Sequence, residues 1–225
     1  MSVLDIRGVT VKDGERVLFS GLDLKLDAGE RLVAFGPSGS GKKAFLKLAA
    51  GILSPDAGTA ALTSSSTTPV GYVMEEGGLL SNLTLAQNVA LPVVYHGRLG
   101  TRDAHARAKE LLDSLGAGRD ADRRPALASI AGRRLAHLAR AFLVDPALMV
   151  LEGPLDELDA RATATVRRAL EETRATTIVG TAALSPYLAW GRRFLFLHRG
   201  AAVHFDGRAA LEKSDDPALR EFLES

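Results

Sequence analysis

Residues 31–44 read RLVAFGPSGSGKKA. RLVAF is a short apolar strand that runs straight into a glycine loop, and KKAFLKLAAGIL (42–53) has helical composition, with Gly51, Pro55 and Gly58 marking its end. From Gly36 to Gly41 and Lys42 the spacing is that of a loop whose backbone N–H groups cradle phosphates, and strand–loop–helix is the context such a loop requires. In that motif a Ser or Thr hydroxyl follows the lysine and holds Mg²⁺. Here the residue is Lys43. The candidate phosphate-binding residues are Gly36, Pro37, Ser38, Gly39, Ser40, Gly41, Lys42, Lys43 and Ala44.

Outward from this loop, the pattern alternates strands with helices. The first thirty residues predict short strands, with VLF and LDLKL as separate pieces and turns at Asp13-Gly14 and Ala28-Gly29. TSSSTTP (63–69) predicts a polar loop before the strand VGYVM (70–74). LTLAQNVALPVV, RDAHARAKELLDSLG and AGRRLAHLARAFLV predict a helical insert over roughly 76–145. LMVLE (148–152) is a second continuous apolar strand and TTIVGT a third strand, separated by the helix DARATATVRRALEETRA, and RRFLFLH with AAVHFDG closes the chain as a hairpin around Arg199-Gly200. The order predicts an α/β fold: a P-loop core with a mostly parallel sheet, an N-terminal antiparallel β subdomain and the helical insert, all within one domain spanning 1–225.

Composition narrows the function classes. A formal net charge of +1 argues against a nucleic-acid partner, and the absence of cysteine excludes disulfides and thiolate metal sites. The five histidines show no metal-ligand spacing. The N-terminus carries Asp5 and Arg7 inside its apolar stretch, so it lacks a signal-peptide core. No apolar run reaches the roughly 18 residues of a spanning helix. A cytoplasmic chain is predicted, peripheral on the inner membrane wherever a partner holds it there.

The whole chain resembles the nucleotide-binding domain of ABC transporters. The landmarks fall in order: Gly29-Glu30 before the loop strand, GPSGSGK, GYVM at the Q-loop strand, LARAFLVDP before the second core strand, and Leu158-Asp159 in DELD. The tail SDDPALREFLES looks like that of Mla-type (MCE-associated) lipid-transport ATPases, and NVALPVVYHG fits that group or the lipoprotein-release type.

Departures from the family pattern touch every motif. The resemblance implies a glutamine where this chain has Glu75, and an LSGGQ signature where it has ASIAG (128–132), keeping Ser129 but placing Ile130 and Ala131 at the glycines. The second-strand aspartate is Glu152, and the carboxylate that polarises the attacking water is Gly153. The switch histidine is Ala182, and the adenine-stacking aromatic is Asp13. Hydrolysis of ATP is positioning plus electrostatics, so these changes point to a pseudo-ATPase. The loop can still cradle an anion. Asp13 weakens the case for base-specific ATP binding, and Mg²⁺ is not expected.

A second ammonium at a helix N-terminus opposes the helix dipole. The expectation is that Lys43 pairs with Glu75 or Glu152 in the place of the metal; the alternative is that it points to solvent. The basic clusters RRP (123–125) and GRR (132–134) read as a solvated face or a partner contact. The implied partners are a membrane permease, gripped after Glu75 through Leu79, Leu80 and NVALPVVYH, and a second nucleotide-binding chain in a homo- or heterodimer. Two alternatives stay open: an active ATPase with Mg²⁺ on Glu152 and Asp156 or Glu157 as base, and a nucleotide-binding regulator without turnover.

Overall fold

The computed structural model describes residues 2–62, 70–74 and 78–224. In chain order the elements are β1 (Ser2–Asp13), β2 (Arg16–Asp27), β3 (Arg31–Phe35), α1 (Lys42–Ala49), β4 (Ala57–Leu62), β5 (Val70–Val73), α2 (Leu85–Tyr95), α3 (Thr101–Ser114), α4 (Ile130–Leu143), β6 (Leu148–Glu152), α5 (Ala160–Glu172), β7 (Thr176–Thr181), β8 (Arg193–His198), β9 (Ala201–Phe205), α6 (Arg208–Glu212) and α7 (Pro217–Glu224). They fall into two compact units, one of Met1–Thr68, Ala147–Gly153 and Arg174–Ser225, the other of Pro69–Pro146 and Pro154–Thr173.

In the first unit the strands run β6-β7-β3-β8-β9, with β9 antiparallel and the rest parallel. Strands of a parallel sheet are covered on both faces, which is why LMVL and FLFL are unbroken apolar runs and even the threonines of TTIVGT are buried. Every residue of β7 is buried. A separate antiparallel sheet has the order β2-β1-β4. Its strands are longer than the sequence predicts. VLF and LDLKL join into one strand because the pairing of β2 with β1 passes from Val9↔Leu22 to Val11↔Phe19 through a bulge, where Gly21 takes φ 64°. The strand AGTAAL (57–62) carries small residues of low strand propensity, and its pairing with β1 alone makes it a strand. Helix α1 stops at Ala49, short of Leu53, because Gly51 and Ile52 donate to Leu48 and Lys47 at 3.0 and 2.8 Å and close a Schellman motif.

In the second unit α2, α3 and α4 pack on one another. Thr84 and Gln87 form a reciprocal capping box that starts α2. Asn88 is fully buried, and its amide group bonds both the N–H and the carbonyl of Leu80 as well as the carbonyls of Leu83 and Thr84. That single side chain fixes the turn leading into the helix. Of NVALPVVYH, Val89, Ala90 and Val93 face the core, while Leu91 and Tyr95 stay exposed. Among the described residues no helix is long and apolar enough to cross a membrane. The loop TSSSTTP (63–69) lies outside the described residues.

Candidate phosphate-binding site

The loop follows from the end of β3. Leu32 to Phe35 are fully buried, so the strand is clamped up to Gly36. There the chain takes φ 146°, and a Cβ would stand 2.2 Å from the Leu197 carbonyl oxygen of β8. Only glycine fits so close an approach. Gly41 caps α1 in the left-handed conformation, with no side-chain cap and no acidic residue in the first turn. The positive end of α1 therefore faces the loop without a carboxylate of its own.

Among the described residues three cations stand at this loop. Lys42 Nζ donates to the carbonyls of Gly36 and Pro37 at 2.6 and 2.7 Å, with Ser40 Oγ at 3.5 Å. Arg16, at the start of β2, donates to the Gly39 carbonyl at 3.1 Å. Sequence reading missed Arg16, because only the packing of the β1–β2 hairpin brings it to the loop. Lys43 Nζ lies 3.5 Å from Glu152 Oε1, its side chain 66% exposed and that of Glu152 13%. The expected pairing is present with Glu152; Glu75 lies outside the described residues.

The positions that would do chemistry are built differently. Gly153 follows β6 with φ 50°, and its N–H donates to the Gly180 carbonyl at 2.8 Å. The backbone there is in the region that disfavours any side chain. Ala182 follows β7 and is exposed, and Asp13 sits in the tight turn opposite Arg16. Phosphate oxygens fit this glycine loop and its cations. A metal does not fit as well, because an ammonium stands where a hydroxyl ligand belongs.

In the second unit the ASIAG stretch opens α4, with Ser129 as its N-cap: Ser129 Oγ accepts from the Gly132 N–H at 2.9 Å. Its own proton goes to Asp120 Oδ2 at 2.6 Å, and the Ser129 N–H joins the same oxygen at 3.2 Å. A hydroxyl has one donor, so Ser129 has none to offer a phosphate. Burial alone would raise the Asp120 carboxyl, yet the two Ser129 bonds and the Arg123 guanidinium hold it below its ordinary value. Of the basic clusters, Arg123 and Arg133 serve this same turn. Arg133 donates to Ala128 O at 2.8 Å, and Arg134 is buried and donates to Met74 O at 3.2 Å. Of DELD, Asp159 caps α5 through the Ala162 N–H at 2.8 Å, and Asp156 and Glu157 are exposed.

His137, buried on α4, carries a pH dependence. Burial, then the charges of Arg140 and Arg134, push its pKa down to about 4. The unfolded chain takes up this proton first, at its ordinary value near 6.5. The stabilising contribution is full above pH 6.5 and is lost as pH falls toward 4. The loss is on the order of 3 kcal/mol, or about 6–12 °C in unfolding midpoint. Melting curves from pH 7 to 4 should show this drop, and His137→Gln should flatten it. An unchanged slope in the variant would exclude His137 as its source.

A family model described as ABC transporter matches residues 19–156 of this chain. The sulfate/thiosulfate import ATP-binding protein CysA of Bradyrhizobium diazoefficiens is 32% identical over 175 residues, 73% of this chain and 51% of that protein. The chain thus spans about half the length of that relative. The probable ribonucleotide transport ATP-binding protein mkl of Mycobacterium leprae is 28% identical, covering 98% of this chain and 68% of its own. The lipoprotein-releasing system ATP-binding protein LolD 2 of Caulobacter vibrioides is 33% identical over 185 residues, 75% of this chain and 81% of its own. Among solved structures, a dimeric ATP-binding cassette bound to ADP and Pi has a TM-score of 0.79 at 23% identity, covering 90% of this chain and 98% of the other. A nucleotide-free cassette reaches 0.81 at 18% identity, covering 99% of each chain. These two likenesses concern the fold.

Proposed function

The chain belongs to the ABC transporter family, and from that premise we propose that it is a cassette subunit that does not hydrolyse ATP. It acts as a structural or regulatory partner of a membrane permease and pairs with a second nucleotide-binding chain. The observation that carries this reading is Gly153: where the family's resemblance implies a water-polarising carboxylate, the chain has a left-handed glycine with no side chain. Ser129 supports it, since a signature serine whose proton is spent on Asp120 cannot donate to nucleotide held by a partner. The exposed Leu80, Leu91 and Tyr95 are the apolar contacts offered to the permease. The tail and the likeness to the lipoprotein-releasing relative support lipid-type cargo.

An active enzyme drawing on Glu152 and on Asp156 or Glu157 is the competing reading. The two differ in one assay, phosphate release from ATP with Mg²⁺. The expected result is release at the buffer level for the wild type, Glu152→Gln and Asp156→Asn alike. A wild-type rate that drops by about 10²-fold or more in either variant would overturn the non-hydrolysing reading.

A further inference from the structure

The residues beside the loop disagree with the Mg²⁺ that a phosphate loop ordinarily carries. The metal in such loops is held by the Ser or Thr hydroxyl after the loop lysine and by an acidic residue on the second strand. Here Lys43 stands at the first of these positions and Glu152 ends β6 at the second, and their charged atoms are 3.5 Å apart. We infer that the Lys43 ammonium, held by Glu152, is a built-in cation in the place of the metal, so that the loop takes the polyphosphate end of a nucleotide without a divalent ion.

Three observations carry this. Mg²⁺ demands near-octahedral oxygen ligands at about 2.0–2.1 Å, and one hydroxyl oxygen has been exchanged for a positive charge. A metal bound on Glu152 would stand within a few ångströms of that charge and be repelled by it. The pair is also arranged for a ligand. Glu152 is nearly buried at the strand end, while Lys43 is mostly exposed at the first turn of α1. Its ammonium adds to Lys42 and Arg16 at the same loop, giving the site, among the described residues, cations from three positions and one carboxylate. The chain therefore supplies from its own side chains the positive charge that a phosphate loop otherwise draws from solution.

This inference rests on the reading that the loop still receives nucleotide, and calorimetry with ATP separates the two. Wild type, Lys43→Ser and Lys43→Gln are titrated in buffer with Mg²⁺ and in buffer with EDTA. The wild-type Kd should agree within about twofold between buffers, Lys43→Ser should bind at least about fivefold tighter with Mg²⁺, and Lys43→Gln should lose about fivefold in EDTA, the scale of one screened charge contact. Wild-type binding more than about tenfold tighter with Mg²⁺ than in EDTA overturns the built-in cation while leaving the loop a nucleotide site. No heat at millimolar ATP from any of the three, in either buffer, overturns the loop as a ligand site and the inference with it. Failure of the non-hydrolysing reading shows separately, as phosphate release in the Mg²⁺ samples.

Discussion

Gly36→Ala lowers the unfolding free energy by about 4 kcal/mol, the sum of roughly 1–3 for a side chain in an unfavourable backbone region and 1–3 for overpacking. The added Cβ would stand 2.2 Å from the Leu197 carbonyl oxygen and 3.1 Å from Ser40 Oγ. Leu197 cannot retreat, because β8 is fixed on both sides, by Phe35↔Phe196 to β3 and by Leu197↔Ala202 to β9. Adjustment therefore falls on the loop, and the carbonyls that hold Lys42 move with it. For a chain of this size the unfolding midpoint should fall by about 8–16 °C. Gly14→Ala is the control. Its φ of 59° is also positive, but nothing lies within 4 Å of the added atom, so only the left-handed cost of about 1–2 kcal/mol applies. Equal losses in the two variants would show that the close approach to β8 is not what demands glycine at position 36.

The same contrast explains what could be read from the sequence. Strand, loop and helix at 31–49 were legible because each has a local cause: an apolar run, glycines at fixed offsets, and a glycine stop. The Lys43 pairing was legible from charge, since a carboxylate nearby offsets a second ammonium at a helix start; Glu152 was one of two candidates, and solvent was the alternative. Arg16 was not legible, since nothing in RVLF ties it to a loop more than twenty residues on. Nor was β4, whose residues would suit many conformations and whose strand character comes from β1. The role of Ser129 was half legible. Its place before α4 suits an N-cap, but the acceptor of its proton, Asp120, comes from a turn nine residues upstream. That contact, with the N-cap bond to Gly132, gives Ser129 a structural role. The two basic clusters divide: Arg123 and Arg124 of RRP lie exposed, as a solvated face would, whereas Arg134 of GRR is buried and donates to Met74 O, a partner that only the fold brings to it.

Gly153→Glu leaves phosphate release from ATP within about tenfold of the wild-type level, although a positioned general base is ordinarily worth about 10²–10⁴-fold. A chain that lacked only this carboxylate would recover the larger factor. This chain lacks more. Lys43 still replaces the hydroxyl, Ala182 offers a methyl group where the resemblance implies a histidine, and the Ser129 proton stays with Asp120. Groups that act as a unit are strongly non-additive, so one restored member gains little while others are absent. Stability gives a second readout. Position 153 has φ 50° and is buried, and its N–H is held by Gly180 O. A glutamate there should cost about 1–2 kcal/mol in backbone strain alone, read as a lower melting midpoint. A gain above about 10²-fold would show that the remaining machinery is intact and that hydrolysis was lost at a single residue. The expected pair of results, a less stable chain and no recovered turnover, would support the proposal that several positions, and not Gly153 alone, separate this chain from a hydrolysing cassette.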